Sequence, residues 1–147
     1  EEMYHAANKA FKTADVAILC AAVADYKPQN EAKEKIKHSE GNMQLELIST
    51  RDIAAELGKQ KTNQQLLVGF ALETHNEECH AKEKLKKKNL DFIVLNSMRN
   101  EGTTFKTDDN QINIISATEN KAFEKKSKTL VAKDIIDEVE AQLQRKK

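Results

Sequence analysis

The run Val16–Ala24, VAILCAAVA, is the longest uninterrupted apolar stretch in the chain, and it gives way at once to Asp25, Tyr26, Lys27 and Pro28. A continuous apolar run of this length, closed by a proline, predicts a strand buried on both faces, which is the condition of parallel strands in an α/β sheet. Ligands of such sheets sit beyond the carboxyl ends of the strands. Asp25 therefore stands where chemistry is expected, although an Asp following a strand also serves turns and helix caps.

The remaining elements alternate as an α/β sheet requires. Residues 1–12 carry Met3, Ala6, Ala7, Ala10 and Phe11 at helical spacing behind an acidic start, an amphipathic helix that packs on a sheet. A helix feeding the first visible strand opens the chain in the middle of a βαβ unit, so the expectation is a single domain over 1–147 that lacks its first strand and loop. At 147 residues one domain with a real core is the size expectation. Residues 30–41 hold Lys33, Glu34, Lys35, Lys37 and His38 with Ile36 as their large apolar side chain, the composition of a solvated loop or of a flap that closes over an anionic ligand. Met43, Leu45 and Leu47 alternate with polar residues as a half-buried strand over 43–48. Thr50 then reads as the cap of a helix that runs through Leu57 and stops at Gly58, whose free amides at Arg51–Ala54 offer a polar, positively polarised end.

Leu66–Leu72 predicts a second central strand, with Gly69 hinting at the close approach of a ligand and Phe70 open to a core or a ligand-facing role. A helix over 76–88 begins with Glu77 and Glu78 and ends rich in lysine, which complements the helix dipole. Lys84 and Lys88 share one face of it and could grip successive phosphates. Leu90–Leu95 predicts a third buried strand. Residues 103–106 and 111–116 flank the turn sequence Thr107, Asp108, Asp109 and Asn110 and predict a projecting hairpin whose open edges a second copy would cover. A last amphipathic helix, from Thr129 to about Gln144, presents Leu130, Val131, Ile135, Ile136, Val139 and Leu143.

Charge excludes some partners. Basic and acidic residues balance at 24 each, which favours neither nucleic acid nor an anionic membrane. Cys20, placed in the buried strand, and Cys79, placed in a helix, make no disulfide framework, and no signal peptide or spanning helix stands out, a cytosolic profile. His75, Cys79 and His80 lack a fourth ligand nearby in sequence, and zinc is not expected. Magnesium carried by nucleotide phosphates is the expected metal.

The motif AAVADYKP, followed by the lysine-rich KEKIK, resembles the signature of phosphopantothenoylcysteine synthetase, the synthetase half of the bacterial bifunctional coenzyme A biosynthesis flavoprotein of the DNA/pantothenate metabolism flavoprotein family. The likeness continues through GFALET at 69–74 and KKKNLDFIVLN at 86–96, and it covers nearly the whole chain from Met3 onward. The resemblance implies a Rossmann-like three-layer α/β fold and nucleotide contacts from Ala21, Asp25, Lys35, Arg51, Asp52, Ile53, Ala54, Phe70, Lys84 and Lys88. Lys35 and Asp25 take the catalytic positions, with Lys35 closing over the ligand and Lys84 and Lys88 on the triphosphate. An Arg stands at 51 where Pro is frequent in relatives, so the backbone contacts are what carry over there.

The implied reaction joins 4'-phosphopantothenate to L-cysteine through an acyl nucleotidylate made with CTP or ATP and Mg2+. FMN enters only if a decarboxylase domain precedes the chain. The resemblance also implies a cytoplasmic homodimer assembled through the hairpin 103–116. Two readings of other classes stand beside this one: a nucleotide-binding module or inactive fragment, and an NAD-dependent oxidoreductase, for which the chain has no GxGxxG turn.

Overall fold

The computed structural model describes residues 1–38, 41–73, 75–97 and 108–146. Its elements in chain order are α1 (Glu2–Phe11), β1 (Val16–Leu19), β2 (Tyr26–Pro28), β3 (Leu47–Ser49), α2 (Ile53–Gln60), β4 (Leu66–Glu73) and α3 (Glu77–Lys87), then β5 (Phe92–Ser97), β6 (Asp109–Asn110), β7 (Ile112–Ser116), β8 (Asn120–Ala122), β9 (Lys126–Ser127) and α4 (Lys128–Lys146). The central sheet has the order β1-β4-β5-β7-β8. Strands β1, β4 and β5 run parallel, with Ile18 beside Val68 and Phe70 beside Val94, and β7 is antiparallel to both β5 and β8. This is a mixed α/β fold with a mostly parallel central sheet, as the alternation of apolar runs and amphipathic helices predicts.

Alternation along β4 and β5 divides the core in two. Leu67, Ala71, Ile93 and Leu95 pack with Phe11, Ile53, Leu57, Ala81 and Leu85 of α1, α2 and α3. Leu66, Val68, Phe92 and Val94 pack on the opposite face with Val131, Ile135 and Val139 of α4. Side chains two apart on a strand share a face, so a helix layer on each face is needed to cover both sets.

Several expectations change in three dimensions. The apolar run 16–24 pairs as a strand only through Leu19, and β1 lies at the end of the sheet order with β4 as its neighbour. Ile18 is 36% exposed and Val23 46%, and Cys20 is exposed beyond the strand end. A strand with one neighbour is covered less than a central one, and β4 and β5, not the longest apolar run, form the buried centre. Residues 43–46 are not a strand, and β3 is exposed rather than half-buried.

The predicted hairpin over 103–116 also resolves differently. Residues 103–107 lie outside the described ones, and Ile112–Ser116 is an internal strand of the central sheet, held between β5 and β8. Two two-stranded pieces stand apart from that sheet: β2 with β3, where Lys27 pairs with Ile48, and β6 with β9. In α4, Val131, Ile135 and Val139 make the buried stripe while Leu130 and Ile136 are about half exposed, because each lies one position, or about 100°, from that stripe.

Helix α2 shows two further differences. Its cap is Asp52, whose Oδ1 accepts the Ala55 N–H at 3.0 Å, and not Thr50. Gly58 lies inside the helix: a Cβ there would stand 1.9 Å from the backbone carbonyl oxygen of Lys88, so glycine is what lets α2 meet the end of α3. Asn89, with φ +51°, turns the chain at that point and donates from Nδ2 to the Gly58 carbonyl at 2.7 Å.

Candidate functional site: an open cleft at the carboxyl ends of β1 and β4

The chain leaves β1 at Leu19 and runs through 20–25 without regular structure before entering β2. Thr50 fixes its far end, donating from Oγ1 to the Ala24 carbonyl at 2.6 Å and from its N–H to the Asp25 carbonyl at 2.9 Å. The segment 50–54 thereby brings the start of α2 against the end of β1. Between them, the carboxyl half of β4 and the inner face of α3 lies an open cleft of about 860 Å3.

Ala21, Asp25, Arg51, Asp52, Ile53, Ala54, Phe70, Lys84 and Lys88 all line this cleft. Lys35 does not: it is exposed on the connection between β2 and β3 and is absent from the lining residues. Phe70 is 39% exposed, so its ring is available to a ligand instead of being spent in the core. Gly69 has a packing explanation: a Cβ there would lie 2.7 Å from the Leu90 side chain, and the close neighbour is Leu90. The Arg51 side chain turns towards α1, with its Nε 3.5 Å from a Glu1 oxygen and its guanidinium 4.8 Å over the Tyr4 ring.

Lys84 of α3 and Lys88, which caps the end of that helix, each already hold a carboxylate. Lys84 Nζ is 2.6 Å from Glu73 Oε1, and His80 Nδ1 is 3.4 Å from the other oxygen of the same group. Lys88 Nζ is 3.2 Å from Asp52 Oδ2, so Asp52 caps α2 with one oxygen and pairs with α3 through the other. Burial pushes the Glu73 carboxyl up, but Lys84 and His80 outweigh it and hold the group below its usual range. For Asp52 burial again raises, and the Ala55 N–H and Lys88 reverse the sign. The cap also changes what α2 can bind. Its amino end, expected to offer amides to phosphate, already carries a resident carboxylate.

Some of the site was not anticipated. Nothing local to Glu73 in the sequence marks it, since its partnership with Lys84 depends on how α3 crosses β4. Asn96, at the carboxyl end of β5, lines the cleft and has a buried side-chain oxygen with no hydrogen-bond partner among the described residues. Its position at the end of a parallel strand was the available signal. Met3 of α1 and Ile18 and Leu72 of the sheet complete an apolar portion of the wall.

The model of the DNA/pantothenate metabolism flavoprotein C-terminal domain family matches residues 1–143. Among curated proteins, a cysteine/cysteine sulfinic acid decarboxylase of an unknown prokaryotic organism is 51% identical over 139 residues, covering 94% of this chain and 39% of that protein. The Coenzyme A biosynthesis bifunctional protein CoaBC of Haemophilus influenzae is 37% identical over 139 residues, covering 95% of this chain and 34% of that protein. The chain thus spans between a third and two fifths of these relatives. A crystal structure of the C-terminal domain of Coenzyme A biosynthesis bifunctional protein CoaBC superposes with a TM-score of 0.78 at 32% identity, covering 98% of this chain and 62% of that one.

Proposed function

Since the chain belongs to the family of the DNA/pantothenate metabolism flavoprotein C-terminal domain, we propose that its cleft is the nucleotide site of a phosphopantothenate–cysteine ligase of coenzyme A biosynthesis. The observation that carries this reading is the convergence of Asp25, the start of α2, Phe70, Lys84 and Lys88 on one opening. An exposed aromatic ring suits a base, two ammoniums one helical turn apart suit a phosphate chain, and backbone amides and carbonyls at 51–54 suit the base edge.

In this reading a carboxylate oxygen of 4'-phosphopantothenate attacks the α-phosphorus of CTP or ATP and pyrophosphate leaves. The amine of L-cysteine then attacks the acyl carbon, the nucleoside monophosphate leaves, and the amine's proton passes to solvent. The protein's part is to hold the phosphates and keep water from the mixed anhydride. Mg2+ would come with the nucleotide. Asp25 fits it, because Mg2+ takes one or two carboxylates together with phosphate oxygens, and Asp25 lines the cleft with no ion pair to it among the described residues. Lys35 would act once the exposed connection between β2 and β3 folds over the bound nucleotide. The reading includes a cytoplasmic setting.

Partnership belongs to the same reading, at a different place from that expected. Tyr26, Met43, Leu45 and Leu47 expose more than half of their surface on and beside β2 and β3. A second copy of the chain covering them would make the homodimer, and light scattering should report twice the chain mass, falling to a monomer when Leu45 and Leu47 are changed to Ser. A monomeric wild type defeats this assembly.

A second reading follows from the 51% relative, whose name denotes loss of carbon dioxide from cysteine or cysteine sulfinate. One experiment separates the two. The protein is incubated with CTP or ATP, Mg2+, 4'-phosphopantothenate and cysteine, and the products are weighed by mass spectrometry. Pyrophosphate with the cysteine amide supports the ligase. Carbon dioxide with a cysteine-derived amine supports the decarboxylase. Nucleotide binding without either product leaves a binding module.

A further inference from the structure

We propose that Glu73 and Asp52 determine which phosphates the cleft accepts, by fixing Lys84 and Lys88 at set places along it. The inference rests on the reading of the cleft as a nucleotide site and adds two residues that touch the lysines from different elements. Glu73 ends β4, and its carboxylate lies 2.6 Å from Lys84 Nζ. Asp52 caps α2, and its second oxygen lies 3.2 Å from Lys88 Nζ.

Lysine by itself is a poor ruler. Its ammonium rides on a flexible four-carbon stem and can follow a phosphate to several positions, so two free lysines would bind any short anion in the cleft. A carboxylate held by the sheet on one side and by a helix cap on the other removes that freedom. Glu73 is itself held: its side chain is 15% exposed and its other oxygen faces His80. Asp52 is held by the Ala55 N–H, and the neighbouring backbone of Lys88 is fixed against Gly58. An ammonium has three protons, so one engaged with a carboxylate can still donate to a phosphate. The held pair then meets phosphates only at a fixed distance from the base stacked near Phe70, and a nucleoside monophosphate falls short of at least one of them.

Charge supports the same conclusion. The charged groups that line the cleft are Asp25, Arg51, Asp52, Lys84 and Lys88, and Arg51 already faces Glu1. With Glu73 behind Lys84, the two lysines contribute no net positive charge in the ligand-free protein. Selectivity must then come from placement and not from bulk attraction.

The test is a calorimetric titration of CTP and CMP, with ATP and AMP in parallel, into wild type, Glu73→Gln and Asp52→Asn. Asn caps a helix as well as Asp does, so Asp52→Asn removes the charge and keeps the cap. Gln at 73 keeps an acceptor for Lys84. Each variant should lower the ratio of triphosphate to monophosphate affinity by about threefold or more, chiefly by raising monophosphate affinity, as expected for loss of a partly exposed ion pair. A ratio that stays the same or rises in both variants overturns the proposal, since carboxylates that merely competed with phosphate or merely stabilised the fold would produce that result. A wild type with no preference for triphosphate would overturn the nucleotide reading itself, and this inference with it. A preference that wild type shows and that both variants keep undiminished removes only the role given to Glu73 and Asp52.

Discussion

Single side chains in this cleft do different work from what their neighbours in sequence suggest. Lys84 and Lys88 complement the dipole of α3, which their position in its last turns already indicates. The fold adds that both face the cleft and that each is paired. Lys84→Ala and Lys88→Ala should therefore weaken CTP binding more than CMP binding, with a steeper loss at low salt, because an exposed charge is screened by added ions. Isothermal titration at two salt concentrations reads this, and an equal loss for both ligands would leave dipole compensation as the lysines' task. Asp52 shows what a one-dimensional reading misses. A cap was expected two residues earlier, at Thr50, since both residue types cap helices. Thr50 is instead occupied with Ala24 and Asp25, the contact that sets one wall of the cleft against the other.

The element that most needs its neighbour is α2. Gly58 reads from sequence as a helix terminator, yet it is buried mid-helix against the end of α3. Alanine usually improves a helix over glycine by about 1 kcal/mol, but here its Cβ would collide with the Lys88 carbonyl, an overpacking cost of about 3 kcal/mol. Gly58→Ala should thus lose about 2 kcal/mol net in urea unfolding. It should also weaken CTP binding, since the backbone that carries Lys88 must move. An unchanged midpoint would mean that the α2–α3 contact yields freely. The connection from β2 to β3 is the opposite kind of element. Among its described residues Ile36 is 61% and Met43 65% exposed, and burial that small does not offset the entropy of fixing so long a connection. If a bound nucleotide supplies the missing contacts, Lys35→Ala should leave CTP affinity within about threefold while slowing the step with cysteine, so that the acyl nucleotidylate accumulates. Unchanged turnover in that variant would remove Lys35 from the reaction.

Across the whole molecule, Asp91 ties the C-terminal helix to the sheet at the end remote from the cleft. Its carboxylate accepts from Lys61 Nζ at 2.8 Å, from Lys146 Nζ at 2.7 Å and from the Leu67 N–H at 2.7 Å, and Lys146 also reaches the Gln65 carbonyl. Burial pushes the Asp91 carboxyl up, and Lys146, Lys61 and the Leu67 N–H outweigh it, so the group stays below its ordinary value. A lowered folded-state pKa contributes stability that is present above the unfolded value, about 3.9 for Asp, and is lost as pH falls below it. Wild type should lose stability on acidification through about pH 4 and below. Asp91→Asn should lose about 2–3 kcal/mol at pH 7, because it strands two partly buried ammoniums, and its curve should flatten in the acid range. Parallel acid limbs for the two proteins would show that the clamp contributes nothing.

The sequence by itself determined the class of fold and the order of its helices and principal strands. Periodicity and apolar runs are local properties, and they survive whatever the chain packs against. The family resemblance carried by ADYKP and its companion motifs singles out Asp25, Lys84 and Lys88, and the fold brings all three to one cleft. Tertiary structure alone decided the rest. Whether the run 16–24 is central or at an edge depends on its neighbours, and among the described residues it pairs with β4 alone. Whether residues 111–116 form an arm or an inner strand depends on which edge of the sheet is vacant, and β5 offered one. The pairings of Lys84 with Glu73 and of Lys88 with Asp52 join residues 11 and 36 positions apart, set by the crossing of α3 over β4 and by the absent side chain at Gly58. A chain's local pattern specifies which face of an element is apolar, but the partner that face meets is fixed only when all the faces are buried together.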